Sequence, residues 1–89
     1  IVMIKAEFEV KAKQFQRIFG FKPYPSRLTL FGSKNWTLDH TVLYKLDKSI
    51  PNYDGDECTY KGKPNYSLSM AIKEEYGNEA NQLVEEMLK

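Results

Sequence analysis

The clearest hydrophobic pattern in the chain lies in its last part, over residues 67–89. Apolar side chains recur there every three or four positions, and glutamates occupy the opposite side of the helical projection. The pattern predicts one long C-terminal helix, whose apolar face needs a sheet or other helices to cover it. Gly77 and Asn78 interrupt the helix, and a division into two helices at this pair is the alternative. The apolar positions are Leu68, Ile72, Tyr76, Ala80, Leu83, Val84, Met87 and, at the edge, Leu88.

The beginning of the chain follows a different period. Residues 2–10 alternate between apolar and charged positions, which predicts a strand with one covered face. Residues 11–19 have the spacing of a short helix, and Gly20 is placed to end it. Two prolines within residues 21–26 exclude a helix interior and predict a connector. The apolar positions of the predicted strand are Ile4, Ala6, Phe8 and Val10.

Two further strands are predicted in the middle of the chain. Residues 27–31 and 38–46 are the candidates, and the turn-forming residues 32–35 join them into a hairpin. Residues 49–64 contain two prolines and two glycines and predict a long loop, with a short fourth strand at 58–60 as an option. The predicted fold is α+β in the order β-α-β-β-loop-α: a three- to four-stranded, mainly antiparallel sheet with a short N-terminal helix and a long C-terminal helix packed on one face.

Length and composition limit the class of protein. A chain of 89 residues supports a single domain, residues 1–89. No apolar run approaches the roughly 18 residues that a membrane helix needs, so no membrane association is predicted. Cys58 is the single cysteine, and an internal disulfide is therefore excluded. We expect a cytoplasmic protein, and no motif predicts a cofactor.

Charge is distributed unevenly along the chain. Residues 1–50 contain nine basic and four acidic residues, a net charge of +5, whereas residues 51–89 contain four and eight, a net charge of −4. Residues 10–38 contain no acidic residue, and aromatic residues alternate with their cations. The candidate binding residues of this basic and aromatic face are Lys11, Lys13, Arg17, Lys22, Tyr24, Arg27, Lys34 and Trp36.

Cations that neutralise phosphates, next to aromatic rings on which bases stack, are typical of surfaces that bind single-stranded nucleic acid. An acidic protein surface would suit the same cations. Tyr24 and Trp36 are the aromatic candidates, because both fall in predicted loops where a ring finds little to pack against. The simplest alternative is that the other rings belong to the core and the cations form an ordinary solvated face.

A second candidate surface is acidic. It combines the loop residues Asp54, Asp56 and Glu57 with Glu74 and Glu75 on the predicted helix. Such a surface could bind a basic partner, including a protein that holds nucleic acid. A solvated surface without a partner is the alternative.

Candidate chemistry is sparse in this sequence. Cys58 and the single histidine, His40, could form a nucleophilic pair only if the fold brings them together. Asp39 would point to the opposite face of a strand from His40, so it would not orient the imidazole. An enzyme that uses Cys58 or His40 is therefore the third hypothesis.

A calcium loop is also considered and rejected. Asn52, Asp54 and Asp56 fit positions 1, 3 and 5 of an EF-hand loop. Positions 6 and 12 should then be glycine and glutamate, but Glu57 and Lys63 occupy them. No metal site is predicted.

The hypothesis that we place first is a non-catalytic binding protein, an adaptor or inhibitor that occupies a partner protein's surface through its charged faces. A nucleic-acid-binding domain that uses residues 10–38 is the alternative. The sequence does not specify the oligomeric state.

Overall fold

The computed structural model describes residues 3–23 and 36–88. Within these ranges the chain forms four helices and one two-stranded sheet. The elements are α1 (Lys5–Phe19), α2 (His40–Ser49), β1 (Tyr53–Asp54), β2 (Thr59–Tyr60), α3 (Leu68–Tyr76) and α4 (Asn78–Leu88). The predicted sheet of three to four strands is therefore wrong, since helices dominate the described residues.

The predicted strand at residues 2–10 is replaced by the first half of α1. Val10, which the alternating pattern placed on the covered face, is 59% exposed, and Ile4 is also exposed. The side chain of Glu7 accepts a hydrogen bond from the Ile4 N–H at 3.4 Å, which satisfies a donor at the start of the helix. Buried positions recur instead every three or four residues, the spacing of one helical stripe. They are Phe8, Ala12, Phe15 and Phe19.

The end of α1 confirms the sequence prediction. Gly20 adopts a left-handed conformation with φ of 87°, and its N–H donates to the Gln16 carbonyl. Glycine adopts this conformation without steric cost, so the chain can turn back immediately after the helix.

The predicted strand at residues 38–46 is also wrong, because α2 occupies most of this range. Asp39 precedes the helix, and its carboxylate accepts hydrogen bonds from the Thr41 N–H and hydroxyl at 3.0 and 3.1 Å. Val42, Leu46 and Ile50 follow at intervals of four and are buried. The N-cap and the four-residue spacing favour a helix over the apparent alternation. The predicted strand at 27–31 and the turn at 32–35 lie outside the described residues.

The C-terminal segment forms two helices, as the alternative prediction states. Ser67 caps α3 by accepting a hydrogen bond from the Met70 N–H at 3.2 Å. Gly77 separates α3 from α4 with φ of 103° and ψ of 166°, a combination that only glycine adopts readily. The helix that the pattern predicted is thus broken at this residue, although both halves bury the predicted apolar stripe.

The core lies between α1, α2, α3 and α4. Two backbone hydrogen bonds attach the segment before α2 to both ends of the described chain: the Trp36 N–H donates to the Met3 carbonyl, and the Leu38 N–H to the Met87 carbonyl, each at 2.8 Å. Phe19 packs edge-on against Tyr76, with 4.7 Å between the ring centroids, and so joins α1 to α3. The start of the chain, α2 and α4 are therefore held as one packed unit.

The remaining element is a small hairpin against α2 and α3. Tyr53 lies opposite Tyr60, and Asp54 lies opposite Thr59, in antiparallel register. The optional strand at 58–60 is thus present as β2, paired with a strand that the sequence pattern did not predict.

Candidate functional site

A cleft of about 330 Å³ opens along one side of α1. One stripe of α1 forms one wall, and the chain segments at Pro23 and Trp36 form the other. We call it the basic cleft. Its lining residues are Phe8, Glu9, Ala12, Lys13, Gln16, Lys22, Pro23 and Trp36.

Local structure explains the wall at Pro23. After the left-handed turn at Gly20, Phe21 returns to pack edge-on against Phe15, with 5.3 Å between the ring centroids. Pro23 is fully buried beyond it. The segment is therefore anchored on either side of Lys22, which is itself exposed at the rim.

Trp36 is held in place from several directions. Its backbone N–H bonds to Met3, and its ring lies 6.2 Å from the ring of Phe8, centroid to centroid. The ammonium group of Lys5 lies over the indole at 5.7 Å from the centroid. The ring is half-buried, so its sides are partly occupied by its own neighbours.

The predicted cations separate into two groups. Lys11 and Lys13 are two residues apart on a helix, so they lie about 200° apart around its axis. Lys11 faces α4 and forms an ion pair with Glu86 at 2.9 Å. Lys13 and Lys22 line the basic cleft instead, and Arg17 follows Lys13 by one helical turn. None of these last three forms an ion pair with a described acidic residue.

The structure therefore brings together Lys13, Lys22 and Trp36 of the predicted basic and aromatic face. Lys11 does not belong to the same surface, because the helix directs it towards α4. Tyr24, Arg27 and Lys34 lie outside the described residues.

Part of the predicted acidic helix face is used inside the molecule. The Tyr60 hydroxyl donates to the Glu75 carboxylate at 2.5 Å, and the Glu74 carboxylate lies close enough to the Tyr66 hydroxyl to affect its acidity. The Tyr53 hydroxyl donates to the Tyr66 carbonyl at 3.1 Å. We call these three tyrosines and two glutamates the tyrosine cluster; it attaches the hairpin and the following loop to α3.

These contacts alter the acidity of the tyrosines. The hydrogen bond to Glu75, with burial and the negative charge of the same carboxylate, raises the pKa of Tyr60 to about 12. The interaction with the Glu74 carboxylate is the main cause that raises the pKa of Tyr66. Burial is the main cause for Tyr53. In each case the neutral, hydrogen-bonding hydroxyl is the favoured form.

The acidic loop is organised by its own backbone. Asp54 accepts hydrogen bonds from the N–H groups of Asp56 and Glu57 at 3.0 and 3.2 Å, which is an Asx turn. The side chains of Asp56 and Glu57 are exposed. Gly55 lies so close to the carboxylate of Asp47 that a Cβ atom at this position would overlap it. Of the five predicted acidic residues, four are exposed and Glu75 is half-buried.

The candidate catalytic residues lie on different elements. His40 is the exposed first residue of α2, whereas Cys58 is exposed in the hairpin turn, where its thiol donates to the Gly55 carbonyl at 3.7 Å. Asp39 caps α2, as described above. Within residues 3–23 and 36–88, no group of three or more histidine, cysteine or carboxylate side chains is placed to hold a metal ion.

The sequence interpretation missed Lys5, Phe8 and Glu9 as site residues. A strand at residues 2–10 separates Phe8 and Glu9 from Lys13, whereas the continuous helix places them along the same wall of the cleft, with Lys5 over the Trp36 ring. The spacing of four between Phe8 and Ala12 was the available signal.

Comparison with family models, curated proteins and solved structures finds no match. In the part of the chain that the structure describes, every helix is too short or too polar to span a bilayer.

Proposed function

We propose that this protein is a non-catalytic binding protein, an adaptor or inhibitor that holds a partner protein at the basic cleft. The observation that carries the proposal is the combination of an apolar floor with a lysine rim. Phe8, Ala12 and Pro23 form an apolar floor with little exposed area and Trp36 adds a half-exposed ring, while Lys13 and Lys22 stand at its edge without an ion pair to a described acidic residue. Apolar area with a few polar groups that fix orientation is typical of binding sites.

In this proposal the partner binds at the basic cleft and not at the acidic face of α3. Glu75 accepts the hydrogen bond of the Tyr60 hydroxyl, so a partner that took this carboxylate would have to displace Tyr60. A partner that binds Lys13 and Lys22 breaks no ion pair to a described acidic residue. We therefore assign partner binding to the cations rather than to the carboxylates of α3.

Nucleic acid is the competing ligand for the same surface. Base stacking needs an open aromatic face, but Lys5 and Phe8 occupy positions against the Trp36 ring. These contacts favour a protein partner.

The test is capture of partners by the tagged full chain from a nuclease-treated lysate of its native cells. The cleft variant is Lys13→Glu with Lys22→Glu, and the matched control is Lys63→Glu with Lys73→Glu, which changes the net charge equally outside the cleft. We expect the wild-type chain and the control to capture the same proteins and the cleft variant to lose them. Loss of every partner after nuclease treatment, or full capture by the cleft variant, would contradict the proposal.

The proposal places the protein in the cytoplasm, because the single exposed cysteine, Cys58, suits a reducing compartment. It assigns no catalytic role to Cys58 or His40. Any activity found in the purified chain would have to survive Cys58→Ser and His40→Ala for this assignment to stand.

A further inference from the structure

A second, smaller groove adjoins the basic cleft. It holds about 170 Å³ and is lined by Phe21, Lys22, Thr41, Val42 and Lys45. Lys22 lines both depressions, while its chain neighbours Phe21 and Pro23 each line one of them. Residues 21–23 therefore form a ridge between two adjacent grooves, and the Cα atoms at its ends are at most about 7 Å apart.

The two grooves share one chemistry. Each has apolar side chains in its lining and a lysine besides Lys22: Lys13 in the first and Lys45 in the second. The ammonium group of Lys45 lies 4.8 Å from the centroid of the Phe21 ring, which keeps the charge over the second groove. Glu9 is the acidic residue that lines this combined surface.

We infer that the paired grooves bind an extended acidic peptide segment of the partner protein. This inference rests on the function proposed above and specifies the partner's chemistry. Apolar side chains of the peptide enter the two grooves, and a carboxylate between them meets Lys22 on the ridge. Charge complementarity selects this occupant, because the combined rim is cationic while both linings are largely apolar.

The spacing of such a segment follows from strand geometry. Alternate residues of an extended chain point to the same side, and each residue advances the chain by about 3.3 Å. A segment of the form apolar–x–acidic–x–apolar therefore spans about 13 Å and presents its three recognised side chains to one surface. This is enough to cross the ridge and reach both grooves.

The experiment is selection of a displayed random dodecapeptide library on the immobilised full chain. Selected peptides without tryptophan are then synthesised and titrated while the fluorescence of Trp36, the only tryptophan, is recorded. We expect enriched sequences to carry Asp or Glu between apolar residues. Lys22→Glu should weaken their binding by at least about tenfold, Glu9→Gln should strengthen it, and the control Lys73→Glu should change it less than about twofold.

Several results would overturn the inference. These are selected peptides without acidic residues, binding that Lys22→Glu leaves unchanged, or no enrichment over an unrelated immobilised protein. Quenching of Trp36 by a single-stranded thymidine dodecamer, without binding of any acidic peptide, would assign the surface to nucleic acid instead. If the cleft variant loses its captured proteins in the lysate experiment while no acidic peptide binds, this inference fails and the proposed function stands.

Discussion

The basic cleft and the tyrosine cluster both combine charges of one sign with aromatic residues. The fold treats them differently. In the tyrosine cluster, Glu75 accepts a hydrogen bond from the Tyr60 hydroxyl, and Glu74 lies near Tyr66. At the basic cleft, Lys13 and Lys22 stay at the rim of an apolar depression without a described acidic partner.

Whether the charged side chains already have a partner inside the molecule determines whether the cluster is available to another protein. A carboxylate that already accepts a hydrogen bond from a tyrosine hydroxyl stabilises the fold. Breaking that bond leaves the hydroxyl without an acceptor. An unpaired lysine at an apolar rim can gain an ion pair without losing one. The tyrosine cluster is therefore part of the structure, and the basic cleft is the candidate binding surface.

The largest expected effect on the free energy of unfolding comes from truncating Phe15, which supports both the basic cleft and the tyrosine cluster. Phe15 is fully buried and contacts the rings of Phe19 and Phe21, which lead to α3 and to the ridge, respectively. Phe15→Ala should lower the free energy of unfolding by about 3–5 kcal/mol in urea denaturation. Gln14→Ala, on the exposed side of the same helix, should change it by less than about 0.5 kcal/mol. Equal effects would mean that α1 is not packed as described.

A smaller effect is expected at the junction of α3 and α4. Gly77→Ala introduces a Cβ atom that meets nothing within 4 Å, so its cost is the backbone conformation alone. We expect a loss of about 1–3 kcal/mol in the free energy of unfolding. Asn78→Ala, at the next and exposed position, should cost less. A Gly77→Ala variant as stable as the wild type would indicate one continuous C-terminal helix.

The tyrosine cluster predicts a pH dependence. The pKa of Tyr60 is raised to about 12 in the folded chain, against about 10 for an unperturbed tyrosine. The stabilisation is therefore complete below about pH 10 and is lost as the pH rises through 12. Tyr60→Phe should lower the free energy of unfolding at neutral pH, and its difference from the wild type should shrink between pH 10 and 12. Tyr44→Phe, at an exposed position, is the control, and a difference that stays constant with pH would contradict the assignment.

The smallest effect concerns Asp47, beside the acidic loop. Burial raises the pKa of its carboxyl, opposed by Lys48 and reinforced by Asp56 and Asp54. Because the folded pKa lies above the unfolded one, the ionised group opposes folding at neutral pH, and this opposition disappears as the pH falls below about 4. Asp47→Asn should therefore stabilise the chain at pH 7 and not at pH 3. Glu57→Gln, in the exposed turn, should have no comparable effect.

The apolar stripe of the C-terminal segment was predicted correctly because it spans many turns and has no competing period, but the single long helix was wrong, since Gly77 divides the segment into α3 and α4. The N-terminal prediction failed because Ile4, Ala6, Phe8 and Val10 satisfy an alternating period over a short window, whereas the four-residue spacing that begins at Phe8 appears only over the whole helix. At α2, the alternating pattern conceals the N-cap signal of Asp39.

The site was predicted only in part. Lys13, Lys22 and Trp36 carry visible charge or aromatic character, so composition identified them. Lys5, Glu9 and Lys45 belong to the site only because the fold brings them to it, and a wrong secondary-structure prediction separates them from it. The hydrogen bond that Glu75 accepts from Tyr60 depends on tertiary packing, which local patterns do not reveal.

The most direct test compares binding by two charge variants that remain folded: Lys13→Glu with Lys22→Glu, and Glu74→Gln with Glu75→Gln. Each is titrated with a protein captured by the wild-type chain. The account predicts that the lysine variant binds at least about tenfold more weakly, while the glutamine variant binds within about twofold of the wild type. Unchanged binding by the lysine variant together with lost binding by the glutamine variant would show that the acidic face, not the basic cleft, is the partner surface.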